Sequence, residues 1–340
     1  MSNGKLTLGV IGVGNWGKNV LRNMASIPKV DLKAICDPSP QNLAKASAQY
    51  PGVATSADPE AILADKSIAA VAIATPATTH HAVAKKALLA GKHVFVEKPM
   101  TMSSAEAEDL LQTAEASKRV LMVGHLLEYH PAVDKLKSLV DTGELGSIRY
   151  LYSQRVNLGV VRTDENAWWS LAPHDISIAL YLIGKEPTSV AARGASFLNK
   201  GIEDVVFANL MFDGGVTAQI HVSWLDPHKI RKFTIVGARK MATFDDGDST
   251  EKIRIYDKGA DMALSYETYG EAITLRSGDI VIPRIDSVEP LRVECGHFVE
   301  CVLANRTPRS DGKDGLRVVR VLEAGQRSLE RGGAPVEVAS

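Results

Sequence analysis

The sequence predicts two domains of different architecture: a doubly wound parallel α/β domain over residues 1–125, then an α+β domain over residues 126–340 with a large, mostly antiparallel open sheet. Three observations carry this. The first 125 residues alternate short apolar runs with amphipathic helical stretches, the rhythm of a parallel sheet. A glycine-rich turn, Gly12-Val13-Gly14-Asn15-Trp16-Gly17, joins the first apolar run to the first helix. From Ser189 to Ile282 the alternation gives way to successive β-type runs, with turn signals at Asp213-Gly214-Gly215 and Asp245-Asp246-Gly247.

In order, the predicted strands of the first domain are Leu6 to Ile11, Leu32 to Cys36, Ala69 to Ala74, His93 to Val96 and Val120 to Val123, short and aliphatic enough to be buried on both faces. Helical spacing of apolar residues predicts helices over Trp16 to Ser26, Pro40 to Tyr50, His80 to Ala90 and Ser103 to Ser117, with Gly91 as a C-terminal stop. Beyond Gly124 come a helix over Pro131 to Asp141, a turn at Gly143 to Gly146, a strand from Ser147 to Val156 and a helix from Pro173 to Leu182. Lys258 to Ser277 has weak periodicity and reads as a loop.

A chain of 340 residues is too long for one ordinary core, and two domains imply a cleft. A formal net charge of −1 with interspersed signs gives no field for nucleic acid or an anionic membrane, so a small molecule is the expected partner. No signal-peptide pattern or membrane-length apolar run is present, and a cytoplasmic location is expected. Cys36, Cys295 and Cys301 lack CxxC spacing and a neighbouring His cluster, which predicts buried thiols and no metal site.

The glycine turn follows a strand and opens a helix, the context that makes it a dinucleotide signal. Gly12 permits the tight turn, Gly14 admits the pyrophosphate, and Gly17 lets helix and strand approach; Asn15 and Trp16 lie in the same turn. The helix N-terminus favours the phosphates. Asp37 ends the second strand, placed to accept from ribose hydroxyls and to repel a 2′-phosphate, so NAD is expected rather than NADP. Lys98 directly follows the fourth strand, and ligands of open parallel sheets bind beyond strand C-termini. Burial near another cation would lower its basicity and let it take a hydroxyl proton as hydride leaves the same carbon.

Ala74-Thr75-Pro76 followed by His80, Ala90-Gly91-Lys92-His93-Val94 leading into Glu97-Lys98-Pro99, Gly124-His125, and Gly143-Glu144-Leu145-Gly146 together resemble the Gfo/Idh/MocA oxidoreductases over essentially the whole chain. The resemblance implies a Rossmann domain in which Thr75, Pro76, His80, Glu97, Lys98 and His125 join the cofactor site, with Lys98 at the cofactor ribose or the substrate hydroxyl. It also implies an acid and a histidine four residues apart in the second domain. Here His174 fits the histidine, but Ser170 stands at the acid position, so either Asp175 substitutes or Lys98 and His174 act without it.

Arg155, Asn157 and Arg162 form a polar cluster whose guanidiniums suit a pyrophosphate or carboxylate, with surface ion pairing as the equal alternative. The stretch from Asn157 through Arg162 and Trp168 to His174 and Asp175 resembles the branch acting on nucleotide sugars. That implies oxidation of the C3 hydroxyl of UDP-N-acetylglucosamine to the 3-keto sugar, with an aminotransferase as pathway neighbour and Trp168 stacking on sugar or nicotinamide. The alternatives are the corresponding 6-carboxylate, a free polyol such as inositol, or a non-enzymatic NAD-binding regulator. A homo-oligomer is expected, because a broad antiparallel sheet needs its outer face covered.

Overall fold

The computed structural model describes residues 4–262 and 273–339. The chain forms two compact units, Met1–Tyr129 with Val288–Arg320, and His130–Ser287 with Val321–Ser340.

The first unit holds a six-stranded sheet in the order β3-β2-β1-β4-β5-β6, with every pairing parallel. The strands are β1 (Leu6–Ile11), β2 (Val30–Cys36), β3 (Ala54–Ser56), β4 (Ala70–Ile73), β5 (His93–Glu97) and β6 (Leu121–Gly124). The helices are α1 (Gly17–Ala25), α2 (Pro40–Gln49), the single turn α3 (Glu60–Leu63), α4 (His80–Leu89) and α5 (Ser104–Ser117). Each expected strand is present. β3 and α3 were not expected, because three and four residues are too short to show a period. Ser39 and Ser103 cap α2 and α5 by accepting from Asn42 N and Glu106 N.

The second unit contains α6 (Pro131–Asp141), β7 (Ile148–Val156), α7 (Ala167–Ile183), β8 (Ser189–Ala195), β9 (Val205–Met211), β10 (Thr217–Ser223), β11 (Ile230–Gly237), β12 (Met241–Asp245), β13 (Ile253–Met262) and β14 (Ile273–Val281). After these come α8 (Pro290–Ala304), α9 (Gly312–Glu330) and β15 (Val336–Glu337). The nine-stranded sheet runs β14-β13-β12-β11-β7-β10-β9-β8-β15, and only its β7–β10 pairing is parallel. Alternation along the strands buries Leu151, Ile220, Val222, Ala208 and Leu210 on one face, while Tyr150, Tyr152, Phe207 and Met211 are exposed.

Three expectations change. The undivided second domain from 126 to 340 gives way to a return of the chain: Val288–Arg320 belongs with the first unit. The reason is apolar. Leu291, Cys295, Phe298, Val299 and Val302 of α8 join the core that holds Leu8 and Val10, and Phe298 packs edge-on against Phe95 at 5.9 Å. Helix α7 begins not at Pro173 but at Ala167, where the Asn166 side chain accepts from Trp169 N at 3.1 Å. Proline inside a helix removes one i→i−4 bond, and in α7 the apolar burial of Trp168, Ile176 and Leu180 outweighs that loss. Finally, the expected loop over Lys258 to Ser277 is strand at both ends, pairing Lys258 with Ser277 and Met262 with Ile273; its centre, 263–272, lies outside the described residues.

Candidate active site

The glycine turn has the geometry a dinucleotide needs. Gly12 has φ +87°, and a Cβ there would lie 2.6 Å from the Ala74 carbonyl; one at Gly17 would lie 2.1 Å from the Gly12 carbonyl. Strand, turn and helix therefore approach as closely as backbone allows. Above Gly14 the space is open, with only Asn42 Nδ2 at 4.0 Å. The first turn of α1 carries no acid and no side-chain cap, which leaves its N–H groups and positive dipole end for phosphate oxygens.

Asp37 is 5% exposed and tightly held. Its carboxylate accepts from Val13 N at 2.8 Å, Ser39 N at 2.9 Å and Asn42 Nδ2 at 3.0 Å. The two strand ends β1 and β2 are thereby tied through one side chain. The sequence reading did not single out Asn42; the available signal was its place in the first turn of a Ser-capped helix that begins three residues after Asp37.

At the end of β5, Lys98 is half-buried and Glu97 is buried. The Glu97 carboxylate turns inward, accepting from Trp16 Nε1 at 2.7 Å and from Lys98 N at 3.3 Å. Burial pushes its pKa up, against the pull of Trp16 and Lys98. Glu97 thus links the glycine turn to the lysine segment, a structural role where a cofactor contact was expected. Thr75 is half-buried and Pro76 exposed in the loop after β4, whereas His80 is 1% exposed. Its Nδ1 lies 2.8 Å from the Pro99 carbonyl and its Nε2 2.9 Å from the Thr75 carbonyl, so His80 braces the loops instead of facing a ligand. The Lys98–Pro99 peptide is cis.

His125 is buried as well. It is 1% exposed and its Nδ1 pairs with Asp314 Oδ2 at 2.6 Å, with Glu128 Oε1 at 3.5 Å. Burial opposes its charge, but Asp314 and Glu128 outweigh it and hold the imidazole up at about 10. Burial and the Asp314 charge in turn push Glu128 up to about 7. One nitrogen and two carboxylates within 4.8 Å form a donor set that suits a divalent cation. The His125 and Asp314 side chains meet at 2.6 Å, within hydrogen-bond distance. Sequence reasoning missed Glu128, Asp314 and the fully buried Glu294 of α8; Asp314 meets His125 across 189 positions, which no local pattern shows.

In the second unit, His174 and Ser170 sit one turn apart on α7, both half-buried. The other expected substrate residues are mostly engaged internally. Arg155 Nε donates to Asp175 Oδ2 at 2.6 Å, with both residues buried, so neither the arginine nor the acid is available to a ligand, and Asp175 does not replace the acid missing at Ser170. Arg162 pairs at the surface with Asp164 at 2.9 Å and Glu165 at 2.8 Å. Trp168 is fully buried and donates Nε1 to the Leu322 carbonyl at 2.9 Å, which rules out the expected stacking. Asn157 is half-buried at the end of β7. All three cysteines are buried free thiols. Among the described residues no helix is long and apolar enough to cross a membrane.

Comparison with known proteins agrees with this geometry. Residues 6–125 match the oxidoreductase family with an NAD-binding Rossmann fold, and residues 133–243 match the GFO/IDH/MocA C-terminal domain. UDP-N-acetylglucosamine 3-dehydrogenase from Acidithiobacillus ferrooxidans is 29% identical, covering 92% of this chain and 93% of its own. Its solved structure superposes with a TM-score of 0.80 over 96% of this chain and 98% of that one. The scyllo-inositol 2-dehydrogenase (NAD(+)) of Bacillus subtilis is 27% identical over 97% of this chain and 95% of its own. Levoglucosan dehydrogenase in complex with NADH, at 20% identity, shares the fold with a TM-score of 0.85 over 99% and 100% of the two chains. With its parallel nucleotide-binding sheet, its glycine turn and both characteristic domains matched, the chain belongs to the Gfo/Idh/MocA family of NAD-binding oxidoreductases.

Proposed function

We propose that the chain oxidises a secondary hydroxyl of a sugar with NAD, and that the C3 hydroxyl of UDP-N-acetylglucosamine is the substrate group. The observation that carries the reading is the Trp16–Glu97 hydrogen bond, because it joins the dinucleotide turn to the residue preceding Lys98. NAD, when bound, supplies the hydride acceptor. Asp37 binds the ribose, the α1 N-terminus and Gly14 receive the pyrophosphate, and Lys98 Nζ, in its neutral form, takes the hydroxyl proton. His174 is proposed as its assistant on the sugar side, with Ser170 leaving that helix face without a carboxylate. The 3-keto product suits a pyridoxal-phosphate aminotransferase as the next step.

A second reading, oxidation of a free polyol, is favoured by a specific observation. Arg155 is held in a buried ion pair with Asp175, so that guanidinium is not left for a nucleotide pyrophosphate, and Arg162 pairs with two acids at the surface. A panel of UDP-N-acetylglucosamine, its uronate, free sugars and inositols, each with NAD and with NADP, separates the readings by NADH absorbance. Lys98→Met is expected to lower kcat by about 1000-fold. Retained turnover in that variant would end the proposed mechanism, and no NADH with any hydroxyl substrate would favour a regulator. The exposed Tyr150, Tyr152, Phe207 and Met211 face is proposed as the homo-oligomer surface, and Phe207→Glu is expected to reduce the sedimentation coefficient.

A further inference from the structure

His80 meets a group that can only accept at each of its two ring nitrogens. Both of its nitrogens lie at hydrogen-bond distance from backbone carbonyl oxygens, 2.8 Å to Pro99 and 2.9 Å to Thr75, and the residue is 1% exposed. Carbonyl oxygens only accept. A neutral ring donates from one nitrogen and turns a lone pair towards the other oxygen, and only the doubly protonated ring donates to both. The two carbonyls belong to the loop after β4 and to the residue after Lys98, so the ring is a cross-link between two strand ends of the nucleotide-binding sheet.

We propose that His80 is the positioning residue of the lysine segment: as an imidazolium it clamps the carbonyls of Thr75 and Pro99, and so fixes where Lys98 emerges from β5. The reading rests on Lys98 being the base, as proposed above. Burial, the largest influence, and the Lys98 charge lower the ring's pKa from its ordinary value while the two carbonyls raise it; with only acceptors at both nitrogens, the two contacts rather than burial decide the form of the ring. Reciprocity gives the clamp a second effect: the imidazolium disfavours the Lys98 ammonium. The neighbouring charges on α4 and α5 are otherwise engaged, since His81 and Lys85 both bind Asp109, at 2.6 Å and 2.7 Å.

The test uses the full chain labelled with 15N-histidine, with the His80 ring signals assigned by their loss in His80→Gln. Two protonated ring nitrogens are expected across the pH range of activity, and the titration is expected to move to higher pH in Lys98→Met, where the competing ammonium is gone. That readout does not depend on turnover, so it stands or falls separately from the role of Lys98. In kinetics, His80→Phe is expected to lower kcat by about 10- to 100-fold with NAD affinity, read from tryptophan fluorescence, changed by less than about twofold. His80→Gln, which keeps one donor, is expected to recover part of that loss. A ring with a single protonated nitrogen throughout the active range overturns the proposal, and so does wild-type kcat in His80→Phe. If His80→Phe does not fold, the ring signals of the wild-type chain decide the matter.

Discussion

The buried pair between Arg155 and Asp175 decides whether the end of β7 is architecture or substrate site. Its members are 8% and 2% exposed, and the guanidinium meets the carboxylate through Nε–Oδ2 at 2.6 Å and Nη2–Oδ1 at 3.4 Å. Removing one partner leaves an uncompensated buried charge, which costs about 3–5 kcal/mol. Asp175→Ala should therefore lower stability by roughly that amount. A unit of this size shifts its midpoint by about 2–4 °C per kcal/mol, so a fall of roughly 6–20 °C is expected in thermal unfolding. The double variant Arg155→Met with Asp175→Leu removes both charges and fills similar volume, and should recover most of the loss. Urea unfolding of the wild type, Arg155→Met, Asp175→Leu and the double gives the coupling energy, and KM for the sugar is measured on the same samples. If the singles unfold within about 0.5 kcal/mol of wild type while KM rises more than tenfold, the pair is not structural and the arginine grips substrate.

Three further outcomes follow from the same geometry. Gly325→Ala places a Cβ 2.5 Å from the Trp168 indole, which is fully buried and hydrogen-bonded to Leu322, so a loss of about 2–3 kcal/mol is expected in urea unfolding, and an unchanged midpoint would mean the ring can move. Glu128 is held at about 7 against an ordinary value of 4.5, so the folded chain binds an extra proton between those values; stability falls as pH rises through the window, by up to about 3 kcal/mol at pH 8, and Glu128→Gln should flatten that slope in pH-dependent unfolding. Asp37→Arg should weaken NAD by about tenfold or more and improve NADP, read by fluorescence titration, and equal NAD affinity would remove Asp37 from the ribose site.

Much of this protein was legible without coordinates. Five parallel strands, the glycine turn, Asp37 and the strand-end position of Lys98 are local patterns: side-chain period, chain reversal and helix entry depend on residues within a few positions of one another. Other features were set only in three dimensions. Pro173 signalled a helix start, yet the apolar face of α7 carries the helix through it. Trp168, Arg155, Asp175 and Arg162 had the chemistry of a sugar site, but packing against Leu322 and internal ion pairs claim them. The Asp314 that charges His125, and the α8 side chains that complete the first core, come from residues more than 150 positions away. A side chain's chemistry can be read from its identity, whereas its availability depends on what burial brings against it, and those partners are chosen by the fold.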